Sequence, residues 1–99
     1  MITFQEANST LNITINTDIN FETTREMELI LQDYDISSNI TELNLDFKGV
    51  RFVDSTGVSL LIKWLHPLTN SKIVRIHNAS APIKNVLRIC KLEQFVEVM

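Results

Sequence analysis

Phe52-Val53-Asp54-Ser55-Thr56-Gly57-Val58-Ser59-Leu60-Leu61 is the stretch on which the fold turns. Upstream of it, Leu43, Leu45 and Phe47 alternate with Asn44 and Asp46, the period of two expected of a half-buried strand. Downstream, Val58, Leu61, Ile62 and Leu65 fall on one helical stripe and Leu60, Trp64 and Leu68 on an adjoining one, predicting a helix from Ser55 to Leu68. Pro67 comes late, where it kinks or ends that helix. Between strand and helix, Lys48 to Val53 reads as a loop and Asp54 as an N-cap. Its carboxylate can accept from the amides of Thr56 or Gly57 and complements the positive end of the helix dipole. Two stripes make a wider apolar arc than the roughly 100° a helix needs to lie on a sheet, so the second must meet another helix or a partner.

Working outward, Ile2 and Phe4, then Leu11, Ile13 and Ile15, also alternate with polar residues, and Ala7-Asn8-Ser9 suits a hairpin turn between two strands. From Phe21 to Tyr34 the period becomes helical, with Met27, Ile30, Leu31 and Tyr34 on one face and Asn20 placed to cap. Ser37-Ser38-Asn39 breaks the pattern before the strand at Leu43. Ile73, Val74 and Ile76 form a further strand. Ile83, Val86, Leu87 and Cys90 repeat i, i+3, i+4, i+7 on a third helix, which assigns Cys90 to the core. Phe95, Val96 and Val98 close the chain as a short strand or final turn. A short first link implies an antiparallel hairpin, and strands joined through helices imply right-handed parallel crossovers. The expected fold class is α/β: a mixed sheet with helices packed against it, one domain over residues 1–99.

The composition fits one compact domain: 99 residues, 44% hydrophobic, 9 Lys+Arg against 12 Asp+Glu, and a formal net charge of -3. A chain of this size buries roughly two-thirds of its unfolded surface and can build a core without disulfides. A single thiol and the lack of a basic segment leading into an apolar one point to a reducing, cytoplasmic compartment. No apolar run approaches a bilayer span, and mild acidity without a Lys/Arg block disfavours nucleic acid and membrane insertion. Protein partners and small ligands remain.

Catalytic patterns are missing: there is no G-x-S-x-G elbow, no P-loop and no G-x-G-x-x-G, and Gly49 and Gly57 do not make a phosphate cradle. One Cys and the separated His66 and His77 have no metal-ligand spacing, so neither cofactor nor metal is expected. His66 and His77 read as surface or helix-end residues. Lys84, Arg88 and Lys91 form a basic stripe on the outer face of the third helix, a solvated face or an attraction for an acidic partner. Phe21, Val58 and Trp64 are candidate exposed anchors, although helical periodicity permits their burial. Asp54 can be a cap and nothing more. Alternatively, the hydroxyl of Ser55 on the first helical position is reachable, and a phosphate there adds about -1.5 to -2 charge beside Asp54.

Val53-Asp54-Ser55-Thr56-Gly57, in this element order, resembles the STAS family, in particular the bacterial anti-sigma factor antagonists. The family pattern D-S-[ST]-G-L-G-[VL]-L stands here as Asp54-Ser55-Thr56-Gly57-Val58-Ser59-Leu60-Leu61. Pro82 to Phe95 looks like the family's last helix and closing strand, and Thr17-Asp18-Ile19-Asn20-Phe21 occupies its G-[ED]-[LI]-D turn. The resemblance implies a non-catalytic partner-switching protein, monomeric when free. Its unmodified form binds a serine kinase of anti-sigma type, phosphorylation of Ser55 (with Thr56 as second candidate) breaks the complex, and a PP2C-type phosphatase resets it. A sigma factor or another response such as biofilm formation would be the output. Asn20, Phe21, Asp54, Thr56, Gly57, Val58 and Leu61 are implied on the docking face, with Gly57 letting the partner approach closely. The alternative is a constitutive STAS subunit bracing a lipid-transport ATPase. Val58 and Ser59 replace the motif's usual leucine and second glycine, and Thr17 and Asn20 the usual glycine and aspartate of the turn.

Overall fold

A computed structural model describes residues 1–99. Strands β1 (Ile2–Ala7), β2 (Thr10–Ile15), β3 (Glu42–Asp46), β4 (Ile73–His77) and β5 (Glu97–Val98) form one sheet in the order β1-β2-β3-β4-β5. β1 and β2 are antiparallel and every other pair is parallel, as the connections predicted. Asn8 turns the hairpin at φ 58°, a left-handed conformation that asparagine tolerates better than most residues. The crossovers carry α1 (Thr24–Asp33), α2 (Ser55–Leu68) and α3 (Ala81–Ile89), and a single 3₁₀ turn, Leu92–Gln94, leads into β5.

Sequential strand order puts all three helices on one face. In register, Leu11, Leu43 and Val74 form one buried row and Ile13, Leu45 and Ile76 the next. Met27 of α1, Val58, Leu60, Leu61 and Leu65 of α2, and Ile83 and Leu87 of α3 pack in the same core, and Leu31 of α1 is also buried. The opposite rows, Asn12-Asn44-Arg75 and Thr14-Asp46-His77, are polar and half-buried or exposed, so the sheet is covered on one side only. His77 Nε2 lies 3.0 Å from Asn44 Oδ1 on this open side. No helix is long and apolar enough to cross a membrane.

The second stripe of α2 meets a helix. Leu60 and Trp64 face Leu31 and Gln32 of α1, and Lys63 Nζ pairs with Glu28 at 3.1 Å. At two positions the chain departs from the pattern of its sequence. The Asn20 cap does not start α1: its Oδ1 accepts from the amides of Glu22 and Thr23, a tight turn that delays the helix to Thr24. Cys90 is exposed, because α3 ends at Ile89 and Lys91 turns the chain at φ 65° before the thiol's stripe can be completed. Leu92, fully buried, takes the place in the core that periodicity had assigned to Cys90.

Candidate functional site

The loop after β3 and the turn after β2 are tied together at the N-terminus of α2. Ile19 and Val53 form a parallel bridge, Ile19 N donates to the Phe52 carbonyl at 3.0 Å, and Asp54 N donates to the Ile19 carbonyl at 3.2 Å. Asp54 then caps α2 as predicted, Oδ1 accepting from Gly57 N at 2.8 Å, while Oδ2 accepts from Phe21 N at 3.0 Å. One carboxylate thus fixes both the helix start and the turn that presents Asn20 and Phe21. These amide donors, Gly57 foremost, hold the Asp54 carboxyl below the usual aspartate range.

The lowered pKa gives a pH prediction. A group whose pKa is depressed on folding adds stability above its unfolded value, and that share is lost as pH falls through the folded value. The difference in thermal midpoint between the wild type and Asp54→Asn is therefore expected to be constant from pH 7 to 5 and to shrink below about pH 4. A gap that stays the same down to pH 2.5, about 1.4 units under the ordinary aspartate value, would remove the ionised cap from the account.

Gly57 is fixed by the same junction. A Cβ built on it would lie 1.9 Å from the Ile19 carbonyl oxygen, with which the helix is in direct contact. The close approach that requires glycine is therefore made by the chain's own Ile19, and Gly57 is buried. That corrects the implied role of Gly57 in admitting a partner. Val58 and Leu61 are corrected too: at 5% and 0% exposure they belong to the core and leave the docking face. Their stripe turns toward the sheet, the face a two-layer fold must bury.

What stays accessible is a compact set. Ser55, the first residue of α2, and Thr56 are exposed, Asn20 is half-buried and Phe21 is 77% exposed. Ser59, standing where the motif usually has glycine, donates its hydroxyl to the Ser55 carbonyl at 3.1 Å. Phe21, Arg25, Thr56, Ser59 and Lys63 line an open groove of about 750 Å³ between α1 and α2. Of the three candidate anchors, Phe21 is free, Trp64 is half-buried against α1 and Val58 is buried. Phe52, not among those candidates, is 55% exposed two residues before Asp54. Its neighbour Val53 is buried, and in an extended segment that alternation turns Phe52 outward, a signal present in the sequence. Lys84 and Arg88 are exposed on α3, whereas Lys91, also exposed, lies beyond the helix end at a left-handed turn, so the expected three-residue basic stripe is reduced to two.

A family model described as the Mlab, STAS domain matches residues 2–97. The chain belongs to the STAS domain family. Solved structures of this fold include a putative anti-sigma factor antagonist from Thermotoga maritima (TM-score 0.84, 14% identity, covering 98% of this chain and 84% of that one). An anti-sigma factor antagonist from Mycobacterium paratuberculosis gives 0.83 at 12% identity, covering 99% and 83%. The unphosphorylated anti-sigma factor antagonist SpoIIAA gives 0.70 at 15% identity, covering 100% and 87%. The phosphorylated form of SpoIIAA, from Bacillus, gives 0.64 at 14%, covering 100% and 91%. At these identities the likeness is one of fold. No curated protein sequence matches the chain.

Proposed function

We propose that this STAS domain is a phosphorylation-controlled binding protein of the bacterial cytoplasm, a partner switch and not a catalyst. The unmodified chain docks on a serine kinase of anti-sigma type through the face around Ser55: Asn20, Phe21, Phe52 and Thr56. The kinase transfers the γ-phosphoryl of ATP to Ser55 Oγ, which loses its proton as ADP leaves. A PP2C-type phosphatase hydrolyses the ester and resets the switch. That SpoIIAA exists in unphosphorylated and phosphorylated forms supports the class of reading.

The observation that carries it is the position of Ser55. Its side chain is exposed at the first position of a rigidly capped helix, while the neighbouring carboxylate is fully engaged by the Gly57 and Phe21 amides. Phosphate there meets the positive end of the helix dipole and displaces no core group, so it changes the charge of the face without refolding it. A second reading uses the same face. The family model's Mlab description and the apolar exposure of Phe21 and Phe52 favour permanent docking as a STAS subunit of a larger complex, such as a lipid-transport ATPase, with Ser55 unmodified.

Peptide mass spectrometry of the native protein, with and without PP2C-type phosphatase treatment, separates the two. A single phosphate on Ser55, removed by the enzyme, is the expected result. Unmodified Ser55 under every growth condition, with a stoichiometric partner retained through purification, would establish the permanent subunit instead.

A further inference from the structure

We infer that the free edge of β1 pairs with β1 of a second copy of this chain, in antiparallel register centred on Phe4, joining two sheets into one. β1 is an outer strand, paired with β2 on one side only. Asn16 N donates to the Met1 carbonyl at 2.8 Å, which sets the alternation of the ladder: Thr3, Gln5 and Ala7 bond toward β2, and the N–H and C=O of Ile2, Phe4 and Glu6 point outward. None of these outward groups meets another backbone group of the chain. A row of free donors and acceptors on an extended strand is a template for another strand.

Soluble proteins usually blunt such an edge with Lys, Pro, a bulge or a covering loop. Ile2-Thr3-Phe4-Gln5-Glu6-Ala7 has none of the first three, and its register with β2 is unbroken. Its one charge, Glu6, is exposed on the helix side and engaged there, accepting from Tyr34 Oη at 2.7 Å and Ser37 Oγ at 3.1 Å. The Phe4 ring is stacked on Tyr34 with centroids 3.9 Å apart, which anchors the strand from the helix side.

Charge and register select the occupant. In a two-fold antiparallel pair about Phe4, Ile2 faces Glu6 of the other copy, Phe4 faces Phe4, and Glu6 faces Ile2. These three pairs use every outward group and form six main-chain hydrogen bonds, two per pair. The two Glu6 carboxylates then stand four residues apart, about 14 Å at a strand rise near 3.4 Å, beyond a Debye length of about 8 Å. Parallel in-register pairing would set them side by side. Each copy brings an identical apolar Ile2 and Phe4 to the helix side and polar Thr3 and Gln5 to the open side, so the faces of both sheets continue across the seam. This dimer departs from the free monomer expected from the family resemblance, and it leaves the α2 site on both copies accessible.

Sedimentation equilibrium between about 1 µM and 1 mM tests it. The expected result is a rise from 11.4 kDa toward twice that mass, with slowed amide exchange at Ile2, Phe4 and Glu6 in the dimer. Thr3→Lys combined with Gln5→Lys puts like charges opposite one another at both Thr3–Gln5 cross-pairs, on exposed positions, and should weaken association at least about tenfold with the fold unchanged by circular dichroism. Phe4→Pro, which removes the central outward amide and spares the bonds to β2 but also gives up the Tyr34 stack, gives a second route to the same loss once circular dichroism shows its fold intact. A monomer at 1 mM overturns the inference, as does a dimer that both variants leave intact.

Discussion

Gly57→Ala is expected to lower the thermal midpoint by roughly 4–16 °C, a net loss of about 1–2 kcal/mol on the scale at which 1 kcal/mol corresponds to about 4–8 °C for a domain of this size. Alanine in place of glycine ordinarily stabilises a helix by about 1 kcal/mol. Here the new methyl would sit 1.9 Å from the Ile19 carbonyl oxygen and 2.7 Å from its carbon, both backbone atoms that cannot rotate away. Overpacking of this kind costs about 1–3 kcal/mol and sometimes more, so the clash outweighs the propensity gain. The carbonyl that must move is the one accepting from Asp54 N, and Ile19 is also bonded to Phe52. The variant therefore loosens the whole junction, and Phe21 and Phe52 with it.

The comparison that isolates this cause is Ser59→Ala, two residues further along α2, about 200° round the helix and exposed. It loses only a hydroxyl bond back to the Ser55 carbonyl, a bond that slightly opposes helix stability, and is expected to be neutral or mildly stabilising. Equal midpoints for the two variants, measured by calorimetry, would show that Ile19 does not need the glycine. A lowered Gly57→Ala midpoint with unchanged Ser59→Ala ties the motif's first glycine to internal packing, and frees the second position, Ser59, to vary.

This division explains what could be read in advance. α2 begins and ends where predicted because its signals are local: an Asp54 cap within three residues of its acceptor's donor, and apolar stripes repeating through fourteen residues. The strands were legible for the same reason, since alternation is imposed by a sheet with one face buried and the other open. α1 begins three residues later than the Phe21 start, because Asn20 Oδ1 draws the Glu22 and Thr23 amides into a tight turn and Asp54, 33 residues away in sequence, holds the Phe21 amide. No local pattern contains that bond. Cys90 satisfies the helical spacing, but spacing cannot report that the chain leaves the helix at Ile89. Within the site, chemistry and address separated in the same way. The residue types marked Ser55, Asp54 and Phe21 as candidates, and the exposure of the first and last and the cap by Asp54 agree with that, whereas the burial of Val58 and Leu61 and the partner of Gly57 depended on which side of α2 meets the sheet and on the arrival of the Ile19 turn.

The second large effect concerns binding. Against the partner that co-purifies from its native cells, Ser55→Ala is expected to bind as the unmodified wild type does, and Ser55→Asp at least about a hundredfold more weakly, a difference of about 2.7 kcal/mol. A carboxylate enclosed at an interface without a counter-charge carries a penalty of about 2–5 kcal/mol, which covers that loss. Full phosphorylation, with nearly twice the charge and a larger volume, should exceed it. Phe21→Ala tests the same face through its apolar contact, because a 77% exposed ring whose amide is held by Asp54 has no role in the core to lose. It should weaken binding by about thirtyfold or more if the ring is an interface anchor, with the thermal midpoint little changed. Titration calorimetry of the four proteins reads both effects together. Loss with Ser55→Asp and with Phe21→Ala makes charge at Ser55 the control of a surface built by the Asp54 junction. Loss with Phe21→Ala alone leaves the surface and removes the switch, because a face that accepts a carboxylate at its centre has no means of releasing its partner by phosphorylation. Retention in both variants moves the partner elsewhere on the domain, and then the junction at Asp54 is architecture alone.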